Sequence, residues 1–524
     1  MPHRHEGIIP LAHPVKQKIR DALVALSLSN LCFLKASFDV LSDAGRYFDK
    51  LPVTTPMLLA LLTTILGFAL LAWLVMQVLR RFQGYWLHLP INLLFFILMV
   101  YPLDFIRIKC TSISDYQIAA FVKQPVIIVC GTALFALFVW KHRLIAKIVA
   151  ATIGILSPLA AFIIIKILLT SLGFTHFITC TNEPAPPPLL PVHEGQPRVV
   201  WIIFDAMDYR LAFEERPANV QLPEFDRLKK QALFSTSAYS PNDITILSMP
   251  ALITGRQTAA ASAVNTCDLS ITFNDNGYTA YWKSMPSVFS EARASGFNTA
   301  LVGWYLPYGR ELGPVLNFCQ WYSFPLFEPC HAKTFGGEIS LLFASLSETV
   351  HLRNLYIKIH REGLQTSLSL VTNSTYGLTL LHLAAPHKPG VYLPDQNKFI
   401  AWTIMPKVTG YFNNLVLADR QLGQIRRSME SSGLWDKTWI ILSADHSWAE
   451  SNLYDHKHDT RVPFIIKAAR ANEPIVYSRP FNTVLTHDLI LSILRGENTN
   501  QQNLPAWLDK RGQPLPTFCG KADI

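Results

Sequence analysis

Long uncharged apolar runs in the first third of the chain constrain its fold more than any other feature. The run 57–79 contains 23 residues without a charged side chain and ends at Arg80 and Arg81. A transmembrane helix needs about 20 consecutive apolar residues. We therefore predict five spans, at 22–41, 57–79, 86–103, 117–140 and 148–165. The first run is interrupted by Lys35 and Asp39, and its alternative is an interfacial helix.

Positive charge around these runs predicts how the chain crosses the bilayer. Cytoplasmic loops of membrane proteins carry an excess of Lys and Arg. With five spans, nine Lys and Arg residues fall on one side of the membrane and four on the other. The side with nine is predicted to be cytoplasmic and includes residues 1–21 as a tail. The chain after residue 165 then emerges on the outer, periplasmic face of a bacterial inner membrane.

Composition divides the rest of the chain. Charged residues make up 16% of the 524 residues, against about a quarter in soluble proteins, and the deficit lies in the first third. Residues 181–197 read TNEPAPPPLLPVHEGQP, which is typical of a semi-rigid spacer. We predict a transmembrane domain at 22–174, a linker at 175–197 and a soluble domain at 198–524.

The formal net charge of +9 does not indicate a nucleic-acid partner. Nucleic-acid-binding modules cluster Lys and Arg with aromatic residues on one face, and no such cluster is seen. Positive charge at membrane edges explains the excess, so the expected partner is the lipid bilayer.

Short apolar runs recur in the soluble domain and alternate with helical patterns. The runs lie at 199–204, 299–302, 378–381, 438–442 and 464–466. Continuous runs rich in Val, Ile and Leu suit a mostly parallel sheet that helices cover on both faces. The prediction is an α/β domain that follows an α-helical transmembrane bundle.

Metal-ligand side chains stand at the ends of these predicted strands. In open parallel sheets, ligands bind beyond the carboxyl ends of the strands. Aspartate and histidine together suit zinc-like ions. A single strand-end Asp is often a helix cap and a single His is often structural, but an Asp-His pair that ends a strand is more informative. The residues are Asp205, His382, His387, Asp445, His446, and the pair His456 and His458 before the last strand.

Two hydroxyls in the stretch 240–256 are candidate nucleophiles, Thr245 and Ser248. A hydroxyl is a poor nucleophile near neutral pH, and a bound metal ion activates it. The start of a helix adds a favourable dipole for an anionic substrate. The alternative is that either hydroxyl only caps that helix.

The soluble domain resembles the alkaline phosphatase–sulfatase superfamily over about 198–470. Sulfatases place their catalytic Cys nine residues before the Thr of a Leu-Thr-Gly-Arg stretch. Here 254–256 reads Thr-Gly-Arg, and nine residues before it is Thr245. Lipid A phosphoethanolamine transferases carry their nucleophile in a Thr-x-x-Ser-x-Pro pattern, which Thr245, Ser248 and Pro250 match. Both motif alignments favour Thr245 over Ser248 as the nucleophile.

Further segments are similar to motifs of the same superfamily. Phe204-Asp205 looks like the first metal-ligand strand, and the stretch 385–389, Ala-Pro-His-Lys-Pro, is similar to a substrate-side histidine motif. Asp445-His446 looks like the family's metal pair, although Ser447 replaces the usual Gly. His458 looks like the histidine that precedes a Val-Pro strand.

The resemblance implies a site with one or two divalent ions, zinc being expected and manganese the alternative. It assigns metal binding to Asp205, Thr245, Asp445, His446 and His458. It assigns the substrate side to His382, His387, His456 and Arg310. A Tyr-x-His spacing in the transferases favours His456 over His458 as the ligand, so the choice among the four histidines outside the Asp-His pair stays open.

Departures from the sulfatase pattern narrow the range of reactions that this chain is expected to catalyse. A sulfatase needs Cys or Ser at position 245 to form formylglycine, and this chain has Thr245. The sulfatase Gly-Lys-x-His segment is also absent, and its nearest counterpart is 303–310. A formylglycine sulfatase is therefore disfavoured. Arg310, at the end of that counterpart, would bind a substrate anion, and its alternative is a surface position.

Membrane spans followed by an outward domain with a threonine nucleophile resemble phosphoethanolamine transferases and lipoteichoic acid synthases. This resemblance implies that Thr245 transfers a phospholipid head group, of phosphoethanolamine or phosphoglycerol type, to an envelope glycan or lipid acceptor through a phosphothreonine. The first alternative is a phosphodiesterase or sulfatase-like hydrolase. The second is an envelope-binding module without catalysis.

Overall fold

The computed structural model describes residues 14–41, 53–82, 84–111, 113, 115–174, 183–264, 268–323, 334–344, 348–403 and 405–512. The helices are α1 (Pro14–Cys32), α2 (Leu34–Leu41), α3 (Thr55–Arg81), α4 (Tyr85–Leu98), α5 (Val100–Cys110), α6 (Asp115–Val122), α7 (Pro125–Ile155), α8 (Ser157–Ser171), α9 (Pro223–Lys229), α10 (Thr245–Thr254), α11 (Val288–Ala294), α12 (Tyr308–Leu312), α13 (Phe335–Ala344), α14 (Glu348–Val371), α15 (Lys407–Ser431), α16 (Asn452–Asp455), α17 (Thr486–Leu494) and α18 (Leu504–Arg511). The strands are β1 (Val199–Phe204), β2 (Leu233–Ser235), β3 (Ala238–Tyr239), β4 (Thr258–Ala263), β5 (Leu269–Phe273), β6 (Thr279–Tyr281), β7 (Thr299–Tyr305), β8 (Phe318–Ser323), β9 (Leu378–Leu383), β10 (Tyr392–Leu393), β11 (Lys398–Phe399), β12 (Trp439–Ala444), β13 (Phe464–Lys467), β14 (Ile475–Tyr477) and β15 (Phe481–Asn482).

The chain forms two compact units, and the first contains the apolar helices. Among the described residues, three helices are long and apolar enough to cross a membrane, Thr55–Arg81, Tyr85–Arg107 and Pro125–Ile155. Their outward-facing Leu, Ile, Val and Phe side chains are exposed, which suits contact with lipid rather than water. Apolar helices of spanning length, as predicted from the sequence, are therefore present.

The first and the last predicted spans differ from the helices of the structure. The predicted span 148–165 is divided at Leu156, where α7 ends and the 15-residue helix α8 begins. Pro158 stands in the first turn of α8, a position that proline favours because its missing N–H needs no partner there. The predicted span 22–41 is likewise divided between α1 and α2. Five crossings therefore stay a prediction.

A segment from within the predicted soluble domain belongs to the first unit. Helix α13 packs against α3, and Leu342 is buried in a core that Leu61, Ile65 and Ile167 share. The Phe343 ring lies 5.6 Å from that of Phe33, edge to face. The sequence 335–344 is mostly apolar, so its burial among apolar helices follows from the hydrophobic effect.

The second unit is built on an eight-stranded sheet. Its strand order is β14-β2-β13-β12-β1-β9-β7-β8. The pairs from β12 to β8 are parallel, whereas β13 is antiparallel to both of its neighbours. All five predicted strands are present in this sheet, and the predicted mostly parallel α/β fold is confirmed.

Residues of the central strands alternate between two helix-covered cores. Val199, Trp201 and Ile203 face the first core with α10 and α17, whereas Val200 and Ile202 face the second core with α9 and α15. The alternation follows from the two-residue period of a strand. Fully burying one large apolar side chain stabilises a fold by roughly 1.5–3 kcal/mol. Burial on both faces explains why these strands read as continuous apolar runs.

The Pro-rich stretch predicted as a linker is partly fixed to the second unit. Residues 183–197 contain no helix or strand. The Leu190 N–H donates to the Asn298 side chain at 2.8 Å, and the Pro188 carbonyl accepts from Arg293 at 2.7 Å. Residues 175–182 lie outside the described residues.

Candidate active site

Three strands carry residues of the candidate site to one edge of the central sheet. Asp205 follows β1, Asp445 and His446 follow β12, and His382 is the penultimate residue of β9. Register explains the convergence, because His382 pairs with Ile203 on β1 and Ala444 pairs with Phe204. Parallel strands end at the same edge, so their terminal side chains meet there.

The Thr245 hydroxyl lies at the centre of this group. Its Oγ1 lies 2.7 Å from Oδ2 of Asp445, 3.3 Å from Nε2 of His446 and 3.5 Å from Oδ2 of Asp205. Thr245 is the first residue of α10, and only 6% of it is exposed. The hydroxyl is therefore held between two carboxylates and an imidazole at a helix N-terminus.

Helix capping does not account for either hydroxyl of the 240–256 stretch. The residue that caps α10 is Ile244, and the cap makes no side-chain hydrogen bond. Ser248 is fully buried and donates its hydroxyl to the Asn242 carbonyl at 2.8 Å. Thr245 alone of the two contacts the strand-end carboxylates.

Asp445 is fixed by backbone donors on one of its oxygens. Its Oδ1 accepts from the N–H of Ala206 at 3.2 Å and from the N–H of His446 at 2.9 Å. The other oxygen, Oδ2, is left to face Thr245. This division of roles holds the carboxylate in one orientation.

Tyr308 determines which nitrogen of His382 faces the carboxylates. The Tyr308 hydroxyl lies 2.7 Å from Nδ1 of His382, and Nε2 of His382 lies 3.9 Å from Asp205 and 4.0 Å from Asp445. If Nδ1–H donates to the tyrosine oxygen, Nε2 presents its lone pair to the centre. This is the arrangement by which an outer partner fixes a metal-binding histidine.

Burial sets the protonation of the centre. It raises the pKa of Asp205 well above its usual range, and the neighbouring charge of Asp445 raises it further. Hydrogen bonds from Trp304 and Thr245 act in the opposite direction. Burial also lowers the pKa of His382 to about 4, so the imidazole is neutral near pH 7. Two adjacent buried carboxylates are costly unless a cation or a proton compensates them.

The group fits a divalent cation. Ligand atoms of Asp205, His382 and Asp445 all lie within 4.8 Å of one another, and all three residues are buried. Oδ1 of Asp205 and Nε2 of His382 have no hydrogen-bond partner in the described part of the chain. Buried polar atoms without partners are uncommon. Carboxylate oxygens with a neutral imidazole form a donor set that suits zinc.

His446 and His387 present similar tautomers. Nδ1 of His446 lies 2.7 Å from the Ser447 carbonyl, and Nδ1 of His387 lies 2.6 Å from the Lys388 carbonyl. A carbonyl only accepts, so each Nδ1 donates and each Nε2 carries a lone pair. Burial and the nearby His446 lower the pKa of His387. The Ser447 carbonyl supplies this contact although Ser447 replaces the usual Gly.

The other predicted site residues lie elsewhere. His458 is exposed and bonds to Ser451 at 3.0 Å, and His456 is exposed at the end of α16. Neither forms a hydrogen bond or ion pair with Asp205 or Asp445 within the described ranges. His382, predicted on the substrate side, lies among the carboxylates instead. The sequence leaves the histidines open, and the geometry favours His382 over His458 as a metal ligand.

Arg310 does not occupy the surface position given as its alternative. Only 6% of it is exposed, and its guanidinium lies 5.2 Å from the centre of the Trp321 ring. Its predicted role in binding a substrate anion stays a prediction.

Two aromatic side chains in the site were missed by sequence reasoning. Both are buried: Trp304 lies in β7 next to Tyr305, whose φ is +72°, and Tyr308 is the first residue of α12. The Trp304 ring lies 5.1 Å from that of His387. Non-glycine residues with positive φ are uncommon and often accompany functional sites. The only sequence signal was the 303–310 stretch that replaces the sulfatase Gly-Lys-x-His segment.

Comparison with known sequences identifies the family. The family model described as Sulfatase matches residues 197–495, which is more than half of the chain. This chain belongs to the Sulfatase family. The superfamily predicted from the motifs around Thr245 is therefore confirmed.

One curated relative is an ulvan-active sulfatase of Formosa agariphila, 22% identical over 341 residues. The match covers 57% of this chain and 61% of the relative, so the chain spans about three fifths of that relative's length.

Solved structures with a similar fold include sulfatases and hydrolases. PsFucS1 sulfatase from Pseudoalteromonas sp. is 13% identical, with a TM-score of 0.39 and coverage of 60% of this chain and 74% of that one. A phosphonate monoester hydrolase of Agrobacterium radiobacter is 13% identical, with a TM-score of 0.36 and coverage of 57% and 74%. An alkaline phosphatase superfamily protein from Vibrio parahaemolyticus is 15% identical, with a TM-score of 0.37 and coverage of 58% and 68%.

Proposed function

We propose that this chain is a metal-dependent enzyme that cleaves phosphate esters through a covalent intermediate on Thr245. The observation that carries the proposal is the position of Oγ1, 2.7 Å from Asp445 and 3.3 Å from His446 at the start of α10. A nucleophile needs a nearby proton acceptor and a fixed orientation. Thr245 has both.

The first chemical step forms a bond between Thr245 and phosphorus. The Thr245 oxygen attacks, and the ester's leaving oxygen departs as an alcohol after taking up a proton. The hydroxyl proton has two acceptors within reach, Oδ2 of Asp445 and Nε2 of His446. The N-terminus of α10 favours the negative charge of the phosphoryl group.

The second step returns Thr245 to its hydroxyl form. An acceptor hydroxyl, or water, replaces the threonine oxygen at phosphorus and loses its proton. Nε2 of His387 is the proposed acceptor, because Nδ1 donates to the Lys388 carbonyl and leaves the lone pair on Nε2. Thr245 recovers a proton as its bond to phosphorus breaks.

Asp205, His382 and Asp445 would hold the divalent ion, with Thr245 and His446 beside it. Such an ion supplies positive charge that lowers the pKa of a hydroxyl and stabilises a phosphoryl group. We propose zinc, with manganese as the alternative, since neutral imidazole with carboxylates suits both. His458 and His456 are proposed only as groups that contact the substrate.

The reaction we propose is transfer of a phospholipid head group, phosphoethanolamine or phosphoglycerol, to an envelope glycan or lipid acceptor. Apolar helices of 27 and 31 residues support it, because they would hold the enzyme in the bilayer where a lipid donor resides. We place the enzyme in a bacterial inner membrane with its catalytic unit on the periplasmic face, as the excess of Lys and Arg predicts.

Hydrolysis is the second candidate, and family membership supports it. The same covalent intermediate with water as acceptor makes the chain a phosphodiesterase or a sulfatase-like hydrolase. Thr245 disfavours the formylglycine route of sulfatases, because that route begins from Cys or Ser.

The test is product analysis with the full chain in detergent. The purified protein is incubated with a phosphoethanolamine lipid, a phosphoglycerol lipid and p-nitrophenyl sulfate, each with and without a lipid A or oligosaccharide acceptor. Transfer predicts diacylglycerol together with a modified acceptor, and hydrolysis predicts a free head group or free sulfate. Intact mass after rapid quenching should show the added group on Thr245.

Ser248→Ala is the matched control for Thr245→Ala. Both variants remove a buried hydroxyl from the same helix, but the Ser248 hydroxyl donates to the Asn242 carbonyl and not to a strand-end carboxylate. The proposal expects near-complete loss of turnover in Thr245→Ala and most of it retained in Ser248→Ala. Equal activity in the two folded variants would contradict a nucleophilic Thr245.

A further inference from the structure

Helix α15 brings a buried tyrosine to the edge of the sheet where the candidate site lies. The inward face of the helix carries Leu415, Ala418 and Leu422, which belong to the second core and recur at three- and four-residue steps. Tyr411 stands four residues before Leu415 on the same face, and only 4% of it is exposed. Its hydroxyl contacts the turn that follows Asp205. The helical period of α15 therefore places this tyrosine beside one of the two carboxylates of the site.

The Tyr411 hydroxyl bridges the backbone of this turn. It accepts a hydrogen bond from the N–H of Asp208 at 2.9 Å and donates one to the carbonyl of Ala206 at 3.3 Å. Burial raises the pKa of Tyr411 well above its usual range, and the charge of Asp208 raises it further, so the hydroxyl keeps the proton that it donates. Ala206 has a φ of +60°, a left-handed conformation that alanine rarely adopts. The surrounding contacts must hold that conformation, and the tyrosine hydroxyl is one of them.

The turn that is held in this way orients Asp445. The N–H of Ala206 donates to Oδ1 of Asp445 at 3.2 Å, while Oδ2 of the same carboxylate lies 2.7 Å from Oγ1 of Thr245. Ala206 also follows Asp205 directly in the chain, so a rotation of its backbone would move both carboxylates. The Tyr411 hydroxyl therefore acts on the candidate site through the backbone of one residue.

The ring of Tyr411 contacts a second segment that follows a strand. It stacks on the ring of Trp448, with the ring centres 4.1 Å apart and the planes inclined by 6°. Trp448 is 6% exposed and follows His446 by two residues, in the loop after β12. Aromatic pairs add stability beyond the burial of their surface. One side chain of α15 therefore contacts both the turn after β1 and the loop after β12.

We propose that Tyr411 and Trp448 are positioning residues of the metal centre. They hold the turn after β1 and the loop after β12 against each other, so that Asp205 and Asp445 converge on one divalent ion. They act through the backbone around Ala206 and through the loop after β12, and not as ligands. The inference rests on the proposed function, because the ion belongs to it. It also gives a reason for the left-handed backbone of Ala206, which lets one N–H reach Asp445.

The first test is zinc affinity of the full chain in detergent, measured by competition with a chromophoric chelator. Tyr411→Phe removes the hydroxyl and keeps the stack, whereas Trp448→Leu removes the stack and keeps the hydroxyl. Both should bind zinc about tenfold more weakly, as expected when an outer partner of a metal ligand is removed. Tyr477→Phe, which removes a hydroxyl that donates to Asp509 at 2.8 Å, should not. Adding Ala206→Gly to Tyr411→Phe should restore part of the affinity, because glycine adopts positive φ without strain. No recovery would assign the loss to general packing and overturn the inference.

The second test needs no metal and measures backbone hydrogen exchange in the metal-free chain. Amides of residues 205–208 and 445–448 should exchange about tenfold faster in Tyr411→Phe, which is the effect of losing one buried hydrogen bond. Tyr477→Phe should leave both segments unchanged. Wild-type zinc affinity or wild-type exchange in a folded Tyr411→Phe protein would overturn the inference. A wild-type chain that binds no zinc contradicts the proposed function instead, and the exchange rates then decide alone whether Tyr411 holds the two segments.

Discussion

Replacing Tyr308 by Phe removes one oxygen and keeps the buried ring, so it tests how His382 is prepared for a metal. The lost contact is the 2.7 Å bond between the Tyr308 hydroxyl and Nδ1 of His382. Without it, the buried imidazole keeps its hydrogen bond to the Trp304 backbone but loses its side-chain partner at Nδ1. The tautomer with Nε2–H then competes, and that form has no lone pair for a cation.

The expected loss of metal affinity follows from the role of Tyr308 as the hydrogen-bond partner of a histidine that binds the metal. Removing the hydrogen-bond partner of a ligating histidine lowers metal affinity about 10–100-fold, which corresponds to about 1.4–2.7 kcal/mol. Stability should change less, because the ring of Tyr308 stays in its place in the first core.

The assay is competition for zinc between the purified chain and a chromophoric chelator. Tyr477→Phe is the matched control, since Tyr477 donates a 2.8 Å hydrogen bond to Asp509 on the edge of the sheet. We expect a 10–100-fold weaker zinc affinity in Tyr308→Phe and none of this loss in Tyr477→Phe. Unchanged affinity in a folded Tyr308→Phe protein would refute the argument that this hydroxyl fixes the tautomer.

Two other variants test the surroundings of the site. Gly303→Ala places a Cβ 2.6 Å from the Tyr308 ring, so we expect about 1–3 kcal/mol of destabilisation and weaker zinc binding. Gly67→Ala, where the Cβ meets nothing within 4 Å, is the control in thermal unfolding; equal effects would contradict the steric reason. The pKa of His360 falls from 6.5 to about 4 on folding, so the unfolded chain binds the proton more readily between these values. Stability should therefore fall by roughly 3 kcal/mol as pH decreases from 6.5 to 4. Denaturant titration at several pH values should show a smaller fall in the free energy of unfolding for His360→Phe. The same fall in the wild type and in His360→Phe would contradict the role given to His360.

Continuous apolar runs made the central sheet predictable from the sequence. A strand that is buried on both faces, such as β1 or β12, has no polar positions to obscure the pattern. Asp205 and Asp445 follow these strands directly, so their convergence required only that the strands be parallel neighbours. Thr245 was selected by motif spacing, because nothing in the pattern of apolar residues distinguishes it from Ser248.

His382 and Tyr308 were harder to place from the sequence. The predicted strand ended at 381, but pairing with β1 continues β9 to Leu383 and carries His382 into the site. Tyr308 reaches His382 across 74 positions of the chain, over a glycine that leaves room for its ring. Such contacts depend on tertiary packing and not on local pattern.

The membrane unit shows a similar limit. The apolar runs predicted helices long and apolar enough to cross a membrane, and the structure has them. Run length alone did not reveal the division at Leu156, where the Pro158 turn starts a new helix. The packing of α13 against α3 depends on contacts between distant parts of the chain. An apolar ten-residue helix gives no sequence signal of the unit to which it belongs.

The most direct test of the proposed centre is the metal content of the purified full chain, measured by elemental analysis beside Asp445→Ala and Asp395→Ala. Asp445 is fully buried among the ligand atoms, whereas Asp395 is an exposed carboxylate on another part of the same unit. The account predicts bound zinc or manganese in the wild type and in Asp395→Ala, with depletion in Asp445→Ala. A well-folded wild-type chain that contains no divalent metal, and acquires none when zinc or manganese is added, would contradict it.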